Sequence, residues 1–341
     1  MRRGLLIFLL VTLAILGFLL NQVWTLLSLL VVKGTGDAIL RSELPAPGAA
    51  REDGKKEIIP RIIHQTYKTT AIPPVWQDAQ ASCIALHPES EGWEYKLWTD
   101  EMGLEFIQQE YEWFYETYVG YKYPIQRADA IRYFVLAHYG GIYIDLDDGC
   151  NRSLEPLLVY PSFVRRTIPT GISNDVMGAV PGHPFFVRVS ERIKNYDRSW
   201  VLPYITVMGS TGPLFLSVMW RHWMSDGLNV GDGLDGGRIR LIFPEEYNGN
   251  DWSFFTHHKG DSWHRWDVRL IFWLGSHWIL VTILGFIVGF GLLFAGWWLY
   301  TRFASNTDMP RKGKTSFRSR LPFWRRGSPN HDYELVDRHE V

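Results

Sequence analysis

Three acidic residues in four positions, Asp145-Leu146-Asp147-Asp148, are the part of this sequence best suited to chemistry. Hard divalent cations such as Mn²⁺ and Mg²⁺ prefer carboxylate oxygens. Aspartates two apart at a strand end can both approach one cation, one directly and one through water or a bound ligand, while Leu146 turns the other way into apolar packing. A cation held there neutralises the charge that develops on a departing phosphate group. An Asp-x-Asp triplet is equally an acidic surface turn, so its surroundings must decide between the two.

Those surroundings read as an α/β fold. Ile58-Ile-Pro-Arg-Ile-Ile63 is β-branched and predicts a strand running into His64-Gln65-Thr66. Residues 73–87 predict a helix, and Trp93-Glu-Tyr-Lys-Leu-Trp98 alternates as a second strand. Residues 128–139 carry apolar side chains at helical spacing (Ile131, Val135, Leu136, Tyr139) and are stopped by Gly140-Gly141. A short strand over 142–144 then leads directly into Asp145. Alternating strands and helices predict a mostly parallel, Rossmann-like sheet. In such sheets ligands bind beyond the carboxyl ends of the strands, where both His64 and Asp145 fall.

The stretch from Gln126-Arg-Ala-Asp129-Ala-Ile-Arg132 through Gly140-Gly-Ile-Tyr-Ile-Asp-Leu-Asp147 resembles the sugar-binding Asp-x-Asp region of a large glycosyltransferase family that includes the yeast and fungal Golgi mannosyltransferases. Ile59-Pro-Arg-Ile-Ile-His-Gln-Thr66 is similar to that family's opening strand and nucleotide-binding turn, and the resemblance spans roughly 58–265. Within it, Asp145-Leu-Asp-Asp-Gly-Cys150, Gly171-Ile-Ser-Asn-Asp175 and His257-His-Lys-Gly-Asp-Ser-Trp263 resemble the catalytic subunits of fungal mannosyl-inositol-phosphorylceramide (MIPC) synthases.

The resemblance implies a GT-A-type fold, GDP-mannose as donor, inositol phosphorylceramide as acceptor, Mn²⁺ as cofactor (Mg²⁺ second), retention of configuration and residence in the Golgi rather than the endoplasmic reticulum. It implies that Asp145 and Asp147 bind metal and diphosphate, joined by His257 or His258 as a late metal ligand. His64, Gln65 and Thr66 would take the nucleotide, and Asp129, with Arg127 and Arg132 on the same helix, the donor sugar or ribose. Asp129 and Arg132 are also spaced for an i, i+3 ion pair. Ser262 and Trp263 would close over the donor, and Asn174 and Asp175 would line the sugar pocket. Retention could use a carboxylate nucleophile or front-face attack beside the leaving diphosphate. The second is favoured because the family type has no clear nucleophile.

The chain has 341 residues and a formal net charge of −1, with no basic field to suggest a nucleic-acid partner. Residues 5–32 are nearly all apolar, broken by Asn21-Gln22 and preceded by Arg2-Arg3 in the cytosolic segment 1–4. They are long enough for a retained signal anchor. Residues 278–300 form a second apolar run, with Trp278, Trp297, Trp298 and Tyr300 at its ends, followed by a basic tail over 301–341 that is expected to be disordered. Two spans with basic outer flanks put both termini in the cytosol and residues 58–269 in the lumen, with 33–57 as a stem. Aromatic residues crowd the stretch before the second span, and a domain tethered at both ends favours a lipid acceptor at the bilayer. The resemblance also suggests a multi-span regulatory subunit.

Cys83 and Cys150 can form at most one internal disulfide and match no zinc spacing, so their pairing stays open. Asn151-Arg-Ser153 is a glycosylation sequon, expected to be unmodified so close to Asp147. Tyr333-Glu-Leu-Val336 has the form of a sorting signal. A protein-glycan mannosyltransferase of the same family and a non-catalytic membrane subunit are the competing readings.

Overall fold

The computed structural model describes residues 2–49, 54–168, 170–247, 250–258, 260 and 266–306. Ser262, Trp263 and the tail with its Tyr333 motif lie outside them. In chain order the elements are α1 (Arg2–Leu29), β1 (Ile62–Thr66), α2 (Pro74–Leu86), β2 (Glu94–Trp98), α3 (Asp100–Glu110), α4 (Glu112–Gly120), α5 (Pro124–Tyr139), β3 (Gly141–Ile144), β4 (Asp148–Cys150), β5 (Ser162–Arg166) and β6 (Ile172–Ala179). There follow α6 (Pro184–Arg192), α7 (Pro203–Ser210), α8 (Pro213–Ser225), β7 (Arg240–Ile242), α9 (Pro244–Tyr247), β8 (Phe255–His257), α10 (Trp266–Ser276) and α11 (Trp278–Asn306).

The central sheet has the order β2-β1-β3-β6-β5-β7. β1 runs parallel to β2 and β3, and β5 parallel to β7, but β6 is antiparallel to both its neighbours. The sheet is therefore mixed, not mostly parallel. The reason is the connection: only 167–171 separate β5 from β6, too few for a crossover, so the two pair as a hairpin. The first strand begins at Ile62 rather than 58, because Pro60 interrupts the run; Ile58 and Ile59 instead bond through their N–H groups to the Leu158 carbonyl.

Alternate residues of β3 feed two buried apolar clusters. Tyr143 joins one that contains Phe134, Phe186 and Trp220, while Ile142 and Ile144 join one that contains Leu157, Phe163 and Phe254. Gly140 and Gly141 are required where α5 turns into β3. Both have positive φ, and a Cβ would lie 2.6 Å from the Pro181 nitrogen at Gly140 and 2.7 Å from the Ile62 carbonyl oxygen at Gly141.

Away from the central sheet, β4 and β8 pair antiparallel, with Asp148 opposite His257 and Cys150 opposite Phe255. Cys83 of α2 and Cys150 of β4 form a disulfide across 67 residues. Residues expected to be a free stem pack against the sheet edge instead: Ile39 is fully buried and bonds to Leu241 of β7, and Arg240 holds the Asp37 and Ala38 carbonyls and Glu43.

α11 contains Trp278–Phe303, 26 residues long and apolar enough to cross a membrane. Its length of ~39 Å at 1.5 Å per residue exceeds a ~30 Å hydrocarbon core. α11 forms a unit of its own from Ile279 onward. α1 meets the same test only as two pieces, Leu6–Asn21 and Val23–Leu29, bent by 55° at the polar Asn21-Gln22 pair. Its last turn is fixed to the domain: Leu29 is buried, and Arg221 donates to the Ser28 hydroxyl at 2.9 Å.

Removing the disulfide by Cys83→Ala with Cys150→Ala frees a 67-residue loop. Chain entropy puts that loss at roughly 4 kcal/mol. Denaturant titration in detergent should show a midpoint well below wild type, and dithiothreitol should bring wild type down to meet it.

Candidate active site

A cavity of about 500 Å³ opens at the carboxyl ends of β1 and β3. The end of β1 and the turn after it contribute Thr66, Tyr67 and Lys68, α2 contributes Trp76, and the passage from β2 into α3 contributes Trp98, Thr99 and Asp100. Ala128, Ile131 and Arg132 of α5 border it, as do Asp145, Leu146, Asp147 and Gly260. Tyr204 and Val207 of α7 and Asp267 and Val268 of α10 complete the wall. Leu146 is buried, yet it reaches this cavity as well.

Asp145 is held from three sides. Its backbone N–H donates to the Asp175 carbonyl at 2.8 Å, extending the β3–β6 pairing by one residue. Tyr143 donates its hydroxyl to one carboxylate oxygen at 2.7 Å, and the Arg132 guanidinium donates to the other at 3.1 Å. Thr66 completes the chain at 2.9 Å from the Tyr143 hydroxyl, whose single proton is committed to Asp145. Strand alternation could have located Tyr143, because 143 and 145 share a face.

Arg132 also bridges to Asp129 at 3.1 Å and to the Asn174 carbonyl at 2.7 Å, and it is almost fully buried. The i, i+3 ion pair is thus present, and its arginine also serves Asp145. Asp129 does not border the cavity. It accepts from Asn174 at 3.0 Å and Thr211 at 3.2 Å, and burial raises its pKa against the pull of Arg132. Arg127 is half-buried and outside the lining. Asn174 spends its amide on Asp129 and the Tyr133 hydroxyl. Asp175 is paired with Arg165, whose charge holds its pKa below the ordinary value although burial works to raise it. Neither Asn174 nor Asp175 lines the cavity.

His64 and Gln65, for which the resemblance implied contact with the nucleotide, are fully buried and do not line the cavity. His64 accepts from the Trp98 indole at 3.1 Å, so its other nitrogen donates to the Gly140 carbonyl at 2.9 Å. Gln65 accepts from the Tyr95 hydroxyl at 2.6 Å. Of the three, Thr66 alone reaches the cavity.

The late histidines do return to the acidic cluster, but with different partners from those expected. His257 sits 3.2 Å from Asp148, which is fully buried and bound by Arg165 at 3.2 Å. The Asp148 bond raises the His257 pKa, with burial opposing. His258 donates its backbone N–H to the Asp147 carbonyl at 2.7 Å, while its ring lies 3.3 Å from Thr256. Neither ring borders the cavity. Gly260 follows immediately against Asp147, where a Cβ would stand 1.6 Å from a carboxylate oxygen.

Burial raises Asp145 to about 7; Arg132 opposes this and Asp147 adds to it. Burial, then Asp148, raises Asp147 as well, and among the described residues no side-chain donor bonds its carboxylate. Two carboxylates crowded in a buried site favour a divalent cation that would hold both ionised. Asp145 and Asp147 could supply two oxygen ligands. Among the described residues no three His, Cys, Asp or Glu side chains converge as a metal site. This donor set suits a cation that takes its remaining ligands from phosphate and water.

A cavity at strand ends, with two convergent aspartates and a buried arginine, has the make-up of a nucleotide-sugar site. A model of the glycosyltransferase sugar-binding region containing the DXD motif matches residues 73–164, from α2 to β5. The fold is that of a glycosyltransferase with a mixed α/β sheet. The chain is 45% identical over 304 residues to mannosyl phosphorylinositol ceramide synthase CSH1 of Saccharomyces cerevisiae, covering 88% of this chain and 79% of that protein. It is 49% identical over 275 residues to mannosyl phosphorylinositol ceramide synthase SUR1 of the same yeast, covering 81% and 69%. It is also 49% identical over 232 residues to inositol phosphoceramide mannosyltransferase 3 of Schizosaccharomyces pombe, covering 68% and 63%. The chain belongs to this family of mannosyl phosphorylinositol ceramide synthases and inositol phosphoceramide mannosyltransferases.

Two substitutions test these placements. Gly260→Ala should displace the Asp147 carboxylate and cut kcat by tenfold or more, with a thermal midpoint near wild type. His64→Gln should lower the midpoint but leave donor KM within twofold of wild type. Burial holds His64 at about 4, against about 6.5 in the unfolded chain. Wild type therefore loses stability as pH falls from 6.5 towards 4, where the unfolded chain takes up a proton that the fold resists. The substitution should flatten that dependence.

Proposed function

We propose that this protein transfers mannose from GDP-mannose to inositol phosphorylceramide, in sphingolipid synthesis. The observation that carries this reading is the 45–49% identity to relatives named for that chemistry, over the segment that builds the cavity. The domain is of GT-A type, with Mn²⁺, or else Mg²⁺, held by Asp145 and Asp147. The cation would neutralise the diphosphate of the donor. Arg132 and Tyr143 aim Asp145 and oppose the rise that burial imposes on its pKa, and Tyr67 and Trp76, in edge-to-face contact at 5.8 Å, offer aromatic surface for the nucleotide base. Asp175 is engaged by Arg165 away from the cavity, which supports retention by front-face attack over a covalent intermediate on that residue.

The same reading puts the domain in the Golgi lumen, with α1 and α11 as spans and both termini cytosolic. The Cys83–Cys150 disulfide supports an oxidising compartment. A multi-span regulatory subunit is the proposed protein partner.

Purified full-length protein with GDP-mannose, Mn²⁺ and inositol phosphorylceramide in mixed micelles should yield a mannosylated lipid. EDTA should abolish the product and added Mn²⁺ restore it. Asp147→Asn should lower kcat by about 10²–10³ with normal expression. Turnover of an N-glycan without any inositol-lipid product would overturn the acceptor, and full activity of Asp147→Asn would overturn catalysis at this site.

A further inference from the structure

A second groove, about 660 Å³ in volume, lies across α7 from the acidic cavity. Within α7, Tyr204 and Val207 border the cavity that holds Asp145 and Asp147, while Ile205 and Gly209 border the groove. The two sets fall on opposite faces of the helix. Two kinds of side chain line the groove. Leu26 of α1, Ile205 of α7 and Leu214, Val218 and Met219 of α8 are apolar. Arg188 and Arg192 of α6, with Arg198 and His222, are basic or can become so, and no Asp or Glu joins them among the described residues.

The basic groups lack a full set of counter-charges. Arg188 is paired with Asp226 at 2.8 Å, but Arg192 and Arg198 form no ion pair among the described residues. All three act on one point: burial raises the pKa of Tyr196, which also lines the groove, and Arg192, Arg198 and Arg188 oppose the rise. Like charges gathered in this way favour an anion. Guanidinium groups suit phosphate oxygens in both geometry and charge. Apolar walls beside them call for an anion that carries a hydrocarbon chain.

The groove is continuous with an apolar helix. Leu26 is part of its wall, and Leu19, Leu20, Val23 and Trp24 lead up to it along α1, all exposed. The contact is fixed, since Leu29 is buried and Arg221 donates to the Ser28 hydroxyl at 2.9 Å. Trp200, another lining residue, is 55% exposed, and Val201 beside it is 97% exposed. Their loop is held by the Thr206 hydroxyl, which accepts the Trp200 N–H at 2.8 Å. Exposed tryptophan and arginine at the foot of an apolar helix have the make-up of a lipid–water boundary.

We propose that this groove binds one anionic phospholipid, with its phosphate on Arg192 and Arg198 and an acyl chain along Leu26, Ile205 and Met219. The lipid steadies α7 from the side opposite the catalytic cavity. The site rests on the reading of α1 as a membrane helix and is independent of the sugar and acceptor that the cavity takes.

The thermal midpoint of full-length protein in neutral detergent, read without donor or acceptor, tests the site. Saturating phosphatidylserine should raise the wild-type midpoint by about 3 °C or more, and phosphatidylcholine by much less. Glycerophosphoserine, the same headgroup without chains, should leave it unchanged. Arg192→Gln with Arg198→Gln should abolish the phosphatidylserine shift and leave the lipid-free midpoint near wild type. Lys56→Gln with Lys194→Gln removes two exposed charges outside the groove and should keep the shift. An undiminished shift in the arginine pair, or an equal loss in the lysine pair, would overturn the site. So would a response to glycerophosphoserine, or one to phosphatidylinositol without phosphatidylserine, which would assign the groove to the acceptor. Absence of any phosphatidylserine shift in wild type that still mannosylates an inositol lipid would overturn the groove site alone. Recovery of the full-length chain as a soluble protein without detergent would overturn the membrane reading of α1 and the lipid site together.

Discussion

The buried guanidinium of Arg132 reaches Asp129, Asp145 and the Asn174 carbonyl at once, and most of the site is arranged around that contact. A charge this deep must be paired, and breaking such a pair typically costs about 3–5 kcal/mol. Arg132 joins α5, the end of β3 and β6, which are separate parts of the chain. Through Asp129 it also holds Thr211 at the turn between α7 and α8. Asp145 is thereby fixed by a network in which Arg132 borders the cavity while Asp129, Asn174 and Thr211 stay behind it.

The second half of the Asp-x-Asp motif is stabilised differently. Asp147 leads into β4, and the β4–β8 ribbon brings a segment more than a hundred residues later alongside it. The disulfide pins β4 to α2, whose Trp76 borders the cavity. Asp148 is neutralised internally by Arg165 and His257, which leaves Asp145 and Asp147 as the pair that faces the ligand space. Excess negative charge is thus confined to one place, where a cation would be drawn.

The elements before and after the central sheet are tied into the same domain. The last turn of α1 is bonded into α8, and α10 helps wall the cavity while presenting aromatic residues outward. Residues 35–44 add to the edge of the sheet at β7, so the first apolar helix is joined to the domain by packed chain.

The strands and helices around β1, α2, β2, α5 and β3, the position of Asp145 at a strand end and the two apolar terminal segments were legible in the sequence, because periodicity, glycine stops and apolar length are local properties. The family resemblance came from short stretches between 59 and 263, above all the one around Asp129, Arg132 and Asp145, and was matched by relatives over most of the chain. Only the tertiary structure decided which of these residues face the cavity. His64 and Gln65 lie in a strand correctly predicted in type, yet both are fully buried, with His64 bonded to Trp98 and Gly140 and the Gln65 carbonyl to Tyr95. The β5–β6 hairpin turned an expected mostly parallel sheet into a mixed one, and the pairing of β8 with β4 placed His257 against Asp148 rather than Asp145 or Asp147. Gly260 and Asp267 gave no clear local signal, since a close approach and a bordering wall exist only once distant segments meet. The opening pair, Asp145 and Asp147, stood out in the sequence, but their different supports are a product of long-range pairing.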